Sequence, residues 1–341
     1  MTTGAIAASL LMGSALAQQP VAPRPAPSTA RQSRAVIVDT DAGPDDVMAI
    51  AFLLSRRDVH IEAITVALGL AHPARGAVNV LKLLQLAGQV GTPVFVGRET
   101  PLSGTREFPA EWRRDSDELK GVSLPTSSRR PESRTAADFL AERLDDGKRP
   151  VDVLALGALT NLAEAFNQRP AAARKIRSLV IMGGAVRVPG NLVPGGVTDN
   201  KTAEWNLYVD PAAAATVFAS GAPIRLVPLD ATNKVPLDIA AWREMERRAA
   251  TPLGRVVTQV LGTVEPWLKD GTYFAWDPLA AVALVEPSVV RVSRLAIEVV
   301  QRAPDEGRTR RVPRGKVNAV VALDADAPAF RRLFFGAFST P

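Results

Sequence analysis

From Ala35 onward, short β-branched runs alternate with longer stretches of helical periodicity, and this alternation restricts the fold more than any other feature of the chain. A run of that length makes one strand, and the helical stretch after it returns the chain to the starting edge. The strands therefore come out mainly parallel, with helices covering them. Strands are predicted at Ala35 to Val38, Ile61 to Ala67, Pro93 to Val96, Val151 to Leu156, Leu179 to Met182 and Ile224 to Val227. Helices are predicted at Pro44 to Ser55, Ala74 to Ala87, Thr135 to Leu144, Thr160 to Phe166 and Pro211 to Ala219. Further helices follow around Ala241 to Ala250, Pro252 to Lys269 and Pro278 to Val285, then strands near Val292 to Val300 and Val317 to Leu323. The expected class is α/β: one domain with an open, mostly parallel (mixed) sheet and helices on both faces. Ligands of such sheets bind beyond the carboxyl ends of the strands, so residues just after each strand are the ones to read for chemistry.

Before the first strand, Ala5 to Ala17 form an apolar run closing on Ala15-Leu16-Ala17, an A-x-A-like site, although nothing before Ala5 is basic. The run is too short to span a bilayer and reads as a signal peptide over residues 1–17, followed by a Pro/Ala/Gln-rich disordered leader over residues 18–34. A periplasmic or secreted location is expected, without stable membrane insertion. Residues 35–341 form the domain. With 47% hydrophobic and 22% charged residues, the chain has ample material for a core. The absence of cysteine excludes disulfides, thiolate zinc sites and a cysteine nucleophile, so oxygen and nitrogen must supply any metal ligands. The net charge of +6 is scattered in short groups such as Arg113-Arg114 and Arg308 to Arg311. No basic stripe is interleaved with aromatics, so a nucleic-acid partner is not expected.

Four carboxylates, Asp39, Asp41, Asp45 and Asp46, follow the first strand within one short segment. Like charges so close repel unless a cation or hydrogen-bond donors sit among them. Gly43-Pro44 makes a turn and starts a helix, so Asp45 and Asp46 fall in its first turn, where backbone N–H groups favour negative charge. Acidic capping explains one or two of the four but not Asp39 and Asp41. An EF-hand loop counted from Asp39 needs Glu at its twelfth position, which is Ile50. The D-x-D-x-T pattern of aspartyl-phosphate phosphatases fails at Gly43.

The segment Val36-Ile37-Val38-Asp39-Thr40-Asp41-Ala42-Gly43-Pro44-Asp45-Asp46-Val47 closely resembles the N-terminal signature of the inosine–uridine-preferring nucleoside hydrolases. Further similarities follow in order: Leu156-Gly157-Ala158-Leu159-Thr160-Asn161, Ile181-Met182-Gly183-Gly184, Ala203-Glu204-Trp205-Asn206 and Trp276-Asp277-Pro278. The resemblance runs from about Ala35 to Phe335 and implies a Rossmann-like nucleoside hydrolase fold. It implies an enzyme cleaving the N-glycosidic bond of ribonucleosides, with Ca2+ as cofactor, a small-molecule substrate and assembly as a dimer or tetramer. Side-chain ligands of the calcium would be Asp41, Asp46 and Asp277, with the Leu156 main-chain carbonyl. Asp45 would hold ribose hydroxyls and Asp39 would support the cluster. Asp41 would also be catalytic, taking the proton of a calcium-bound water. In the sugar-binding segment Glu204, Trp205 and Asn206 would bind substrate, Glu204 and Asn206 through sugar hydroxyls, as would Asn191, for which Asn200 is a competing choice. Met182 would pack near the ring.

Two departures concern the leaving base and the water. Family members preferring inosine and uridine carry histidine where this chain has Trp276. The tryptophan resembles the purine-specific branch, in which stacking eases departure of the base, and so implies a purine leaning. Trp112, from a loop over the site, is a candidate second stacking face. The usual asparagine after Gly69 is Leu70 here, which implies reduced activity or an unusual substrate unless His72 compensates; as a lone histidine, His72 reads more simply as a loop residue. His60 reads as structural. A second hypothesis is therefore a catalytically weakened periplasmic nucleoside- or ribose-binding protein. A third, a phosphohydrolase using Asp39 and Asp41, is disfavoured by the full Asp45, Asp46 and Asp277 set.

Overall fold

Apolar residues on both sides of each short run form the strands, as expected for a sheet covered on both faces. In the computed structural model, residues 1–2 and 33–339 are described, so nearly all of the expected signal peptide and leader lies outside the described residues. The strands are β1 (Arg34–Thr40), β2 (Val59–Val66), β3 (Val94–Val96), β4 (Asp152–Ala155), β5 (Ser178–Met182), β6 (Ile224–Val227), β7 (Val290–Leu295), β8 (Ile297–Val299), β9 (Thr309–Arg311) and β10 (Ala319–Ala325). The helices are α1 (Pro44–Leu54), α2 (Pro73–Leu86), α3 (Ala110–Glu118), α4 (Ala136–Asp146), α5 (Thr160–Gln168), α6 (Trp205–Val209) and α7 (Pro211–Ala219), then α8 (Leu229–Thr232), α9 (Ile239–Arg248), α10 (Pro252–Thr263), α11 (Glu265–Lys269), α12 (Trp276–Val285) and α13 (Ala327–Gly336).

Eight strands form one sheet in the order β3-β2-β1-β4-β5-β6-β10-β7, and β8 and β9 pair separately. All pairings in the large sheet are parallel except that of β7 with β10, so it is mixed as expected. Successive side chains alternate between two cores. Val36, Val38, Leu154, Val180 and Val227 face one core, which α1, α10 and α12 help to build, whereas Ile37, Val153, Leu179 and Leu226 face another, built with α4, α5 and α7. β1 is central, paired with β2 on one side and β4 on the other. Its carboxyl end therefore points into the crevice where the chain turns outward in two directions.

Helices α3, α6, α8 and α13 and strand β9 have no counterpart in the sequence reading, and other elements differ in extent or placement. The helix expected over Pro252 to Lys269 breaks at Val264, because Pro266 has no N–H to continue the hydrogen-bond ladder. The strand expected near Val292 to Val300 divides into β7 and β8 around Ala296. Trp112 is not on a loop but on α3, a helix with only Arg113 and Ser116 buried and hence no apolar stripe to reveal it. Among the described residues no helix is long and apolar enough to cross a membrane.

Candidate active site

The turn from β1 into α1 gathers its carboxylates by local hydrogen bonding. Ala42 adopts the left-handed region at φ 58, uncommon for a residue with a side chain, and its N–H donates to Thr40 Oγ1 at 3.0 Å. Asp46 reaches back from the first turn of α1: its Oδ1 accepts from the Thr40 hydroxyl and from Asp41 N–H at 3.2 Å, and its Oδ2 accepts from Gly43 N–H at 3.0 Å. This is the capping role foreseen for one aspartate. Asp41 lies further out, accepting from Gly43 N–H at 3.3 Å and from Leu70 N–H at 2.9 Å. Its side chain fits only because Gly69 and Gly157 lack Cβ atoms, which would stand 2.0 Å from Asp41 Oδ2 and 2.8 Å from Asp41 Cβ respectively. Asp39 lies behind it, its Oδ1 accepting from Thr65 Oγ1 at 2.6 Å and Asn161 Nδ2 at 2.8 Å.

Asp277 joins from the far end of the chain, in the first turn of α12, which packs against α1. Oxygens of Asp45, Asp46 and Asp277 all lie within 4.8 Å of one another, an arrangement able to hold a metal ion. The trio contains two of the three expected carboxylate ligands and adds Asp45, which the resemblance assigned to ribose. Asp277 Oδ1 and Asp39 Oδ2 are buried without a hydrogen-bond partner among the described residues. Burial pushes Asp39 and Asp45 each up to about 7 and Asp46 up to about 6, with neighbouring aspartates adding to the rise. Burial first, then repulsion from the other aspartates, also holds Asp41 and Asp277 well above the usual carboxylate range. The set has the electrostatics of a cation site.

The opposite wall is built by β5 and α6. Gly184, at φ 80, turns its N–H onto Glu204 Oε2 at 2.9 Å, and Glu204 Oε1 caps α6 by accepting from Asn206 N–H at 3.0 Å. Burial raises Glu204 to about 7. Asn206 Nδ2 donates to the Leu156 carbonyl at 2.7 Å and more loosely to the Met182 carbonyl at 3.3 Å, so Leu156, Met182 and Asn206 converge as expected. A carbonyl has two lone pairs, and Leu156 keeps one to offer. Asn191 Oδ1 accepts from Trp205 N–H at 3.3 Å. The competing Asn200 is spent on its own loop: its Oδ1 accepts from Thr202 and Ala203, and its Nδ2 donates to the Glu306 carbonyl.

Aromatic rings flank this wall. Trp205 is buried, stacked on Phe108 at 4.7 Å and edge-on to Trp112 at 5.7 Å, so its ring is taken up by packing. Trp112 meets Trp267 at 5.4 Å, and Trp267 in turn lies 6.1 Å from Tyr273. Tyr273 stands edge-on to Trp276 at 4.9 Å. Trp276 is half-buried at the start of α12, and its Nε1 has no partner. Leu70 packs against this aromatic group and covers Gly43, while its N–H holds Asp41. His72 is paired with Asp117 through Nδ1 at 2.7 Å, tying the start of α2 to α3. His60 is exposed within β2, not ahead of it.

Sequence reading did not single out Thr40, Thr65, Asn161 or Tyr273. The first lies inside the quoted aspartate signature and Asn161 inside the quoted turn after β4, so both were visible without a role. Thr65 becomes a neighbour of Asp39 only through the β1–β2 register.

A profile described as inosine-uridine preferring nucleoside hydrolase matches residues 36–332. Uridine nucleosidase 1 of Arabidopsis thaliana is 33% identical over 81% of this chain and 83% of its own length. The pyrimidine-specific ribonucleoside hydrolase RihA of Salmonella typhimurium is 32% identical over 86% of this chain and 95% of its own. The structure of a purine-preferring ribonucleoside hydrolase from Gardnerella vaginalis superposes with a TM-score of 0.78 at 27% identity, covering 90% of this chain and 98% of that one. The matched span runs from β1 into α13 and so takes in both halves of the aspartate cluster. The chain belongs to the inosine-uridine preferring nucleoside hydrolase family, enzymes that act on N-glycosyl bonds.

Proposed function

We propose that this ribonucleoside hydrolase works with a calcium ion held by Asp41, Asp46, Asp277 and the Leu156 carbonyl, and that it leans towards purine nucleosides. The observation that carries the reading is the convergence of Asp46 and Asp277, with half-buried Asp45 beside them and Asp277 Oδ1 left unpartnered among the described residues, from distant parts of the chain. An all-oxygen donor set suits a hard cation that takes about six to eight oxygens. Calcium, when bound, neutralises the carboxylates, orients ribose hydroxyls and lowers the pKa of water.

The residues of the chain supply the remaining work. Asp41, fixed by the Leu70 and Gly43 N–H groups, accepts the proton of the water that attacks C1′. Asp45, Glu204, Asn206 and Asn191 hold the sugar hydroxyls, and Met182 packs beneath the ring. As the C1′–N bond breaks, its electron pair moves to the base, positive charge spreads over the sugar, and the carboxylates stabilise it. One water is consumed: its hydroxyl goes to C1′ and its proton ends on the base.

The sequence relatives carry pyrimidine names and the structural relative a purine one. Trp276 favours purines, because stacking on a base contributes on the order of 1–3 kcal/mol and grows with ring area. The test is release of free base and ribose from inosine, adenosine, guanosine and uridine, with calcium and with chelator. Turnover that is lost on chelation, restored by calcium and about tenfold faster in kcat/KM for inosine than uridine is expected, a difference of ~1.4 kcal/mol. Chelator-insensitive turnover counts against the metal, tight binding without turnover favours the binding-protein reading, and faster uridine cleavage removes the purine leaning.

The raised carboxyl groups also fix a pH dependence. An unfolded Asp titrates near 3.8, so up to about pH 7 the cation-free native state keeps protons that the unfolded chain has lost. Its stability therefore falls as pH rises through that window. Calcium competes with those protons, so it should raise the melting temperature more at about pH 8 than at about pH 5. Equal shifts at both pH values would exclude this cluster as the cation site.

A further inference from the structure

Tyr273 is 2% exposed, yet among the described residues its hydroxyl has no hydrogen-bond partner. A buried phenol in this state is uncommon in a folded protein and marks either strain or a place reserved for something else. The backbone around it is held firmly. Leu237 N–H donates to the Tyr273 carbonyl at 2.9 Å, Ala275 N–H donates to the Val235 carbonyl at 3.0 Å, and Phe274 bridges to Pro236. The ring is thus placed by its chain and not by its hydroxyl. It stands at 73° to Trp276, whose Nε1–H is a second buried donor without a partner. Asp45, Asp277 and Asp46 lie near enough for their charge to act on Tyr273, but none of their oxygens accepts from it. Two idle donors on adjoining rings therefore border the aspartate cluster, on the side where Trp276 faces the base in the reading above.

We propose that the Tyr273 hydroxyl contacts the substrate, donating a hydrogen bond to a ring acceptor of the departing base. This rests on the nucleoside-hydrolase reading of the site. It assigns to Tyr273 the leaving-group side, where the chain has Trp276 and no histidine. As the C1′–N bond breaks, its electrons move onto the base ring, the acceptor becomes more basic and the hydrogen bond from Tyr273 strengthens. The proton that the base finally carries comes from the attacking water, and Tyr273 ends the cycle as it began.

Tyr273→Phe keeps the ring and removes the donor. It is to be assayed with calcium on the best nucleoside substrate and on 4-nitrophenyl β-D-ribofuranoside, whose leaving group departs as a stable anion without a donor. For the nucleoside, kcat is expected to fall about 10- to 100-fold with little change in KM. The loss on the nitrophenyl riboside is expected to be at least about tenfold smaller, since a hydrogen bond strengthened only by base departure has nothing to act on there. Equal losses on both substrates would assign Tyr273 a packing role and overturn the proposal, as would an undiminished nucleoside rate. Because both substrates are read on one preparation, partial unfolding cancels from the ratio. A wild-type protein that releases no base from any nucleoside overturns the underlying reading instead, before the variant is measured.

Discussion

Asp41→Asn is expected to lower kcat on ribonucleosides by about three orders of magnitude, within the range that a positioned general base contributes. The substitution is nearly isosteric, and the amide oxygen still accepts the stronger of the two backbone bonds, that from Leu70 N–H at 2.9 Å. The amide nitrogen then faces Gly43 N–H, whose 3.3 Å bond to Asp41 is long and weak. Removing one of several mutually repelling buried carboxylates offsets that loss. The fold therefore survives, and the melting temperature of the cation-free variant stays level or rises. On the proposed mechanism, what disappears is the basic oxygen that takes the proton from water, together with a formal charge at the proposed cation site. Steady-state kinetics at saturating calcium separates the two, because a defect in metal affinity alone is recovered there. Asp41 would lose its assigned role if more than about a tenth of the wild-type kcat persisted, since that is less than the smallest usual contribution of a general base.

Gly69→Ala is expected to lower kcat by about 100-fold without replacing any group that meets substrate. Its new methyl would stand 2.0 Å from Asp41 Oδ2, 2.4 Å from Asp41 Cβ and 2.5 Å from Asp41 Cγ, so the side chain and not a flexible tip must yield. Asp41 has little room to retreat, because Gly157 already lies against it from the β4 side. A displacement of about 1 Å at a reacting group costs on the order of 100-fold in rate, and overpacking of this kind costs about 1–3 kcal/mol in stability. Gly91→Ala provides the control, as nothing lies within 4 Å of the added methyl. A Gly69→Ala enzyme as active as Gly91→Ala would show that Asp41 need not sit where the two glycines hold it.

Much of this architecture was legible because burial on both faces writes each strand as a short apolar run. Much of the site was legible because carboxylates crowded at a strand end need an explanation. The parts that stayed hidden share a cause. α3 is polar almost all round, so periodicity could not mark it, and Trp112 was consequently placed on a loop. Thr65 and Asn161 support Asp39 only through strand register and the turn after β4. Asn200 competed with Asn191 in the sequence, but its amide is taken up by contacts with Thr202, Ala203 and Glu306, which sequence does not display. Tyr273 gains its meaning from the bridge between Phe274 and Pro236, a pairing that leaves no mark in composition. Trp205 lay inside the segment that the resemblance assigns to the sugar, but its ring packs with Phe108 while the flanking Glu204 and Asn206 bond to Gly184 and to the Leu156 carbonyl.

The central place of β1 bears on when the site comes into being. Asp39 and Asp41 are among the first residues of the domain to be synthesised, but β1 gains its second neighbour only with β4, and α1 is covered by α12 only near the end of translation. A nascent chain therefore carries its acidic turn through most of its synthesis without Asp277 to complete the trio. On the proposed reading, cation capture becomes a closing event of biogenesis, coupled to the docking of α12 on α1, and a truncated product ending before Trp276 would be left with unmet charge instead of a partly working enzyme.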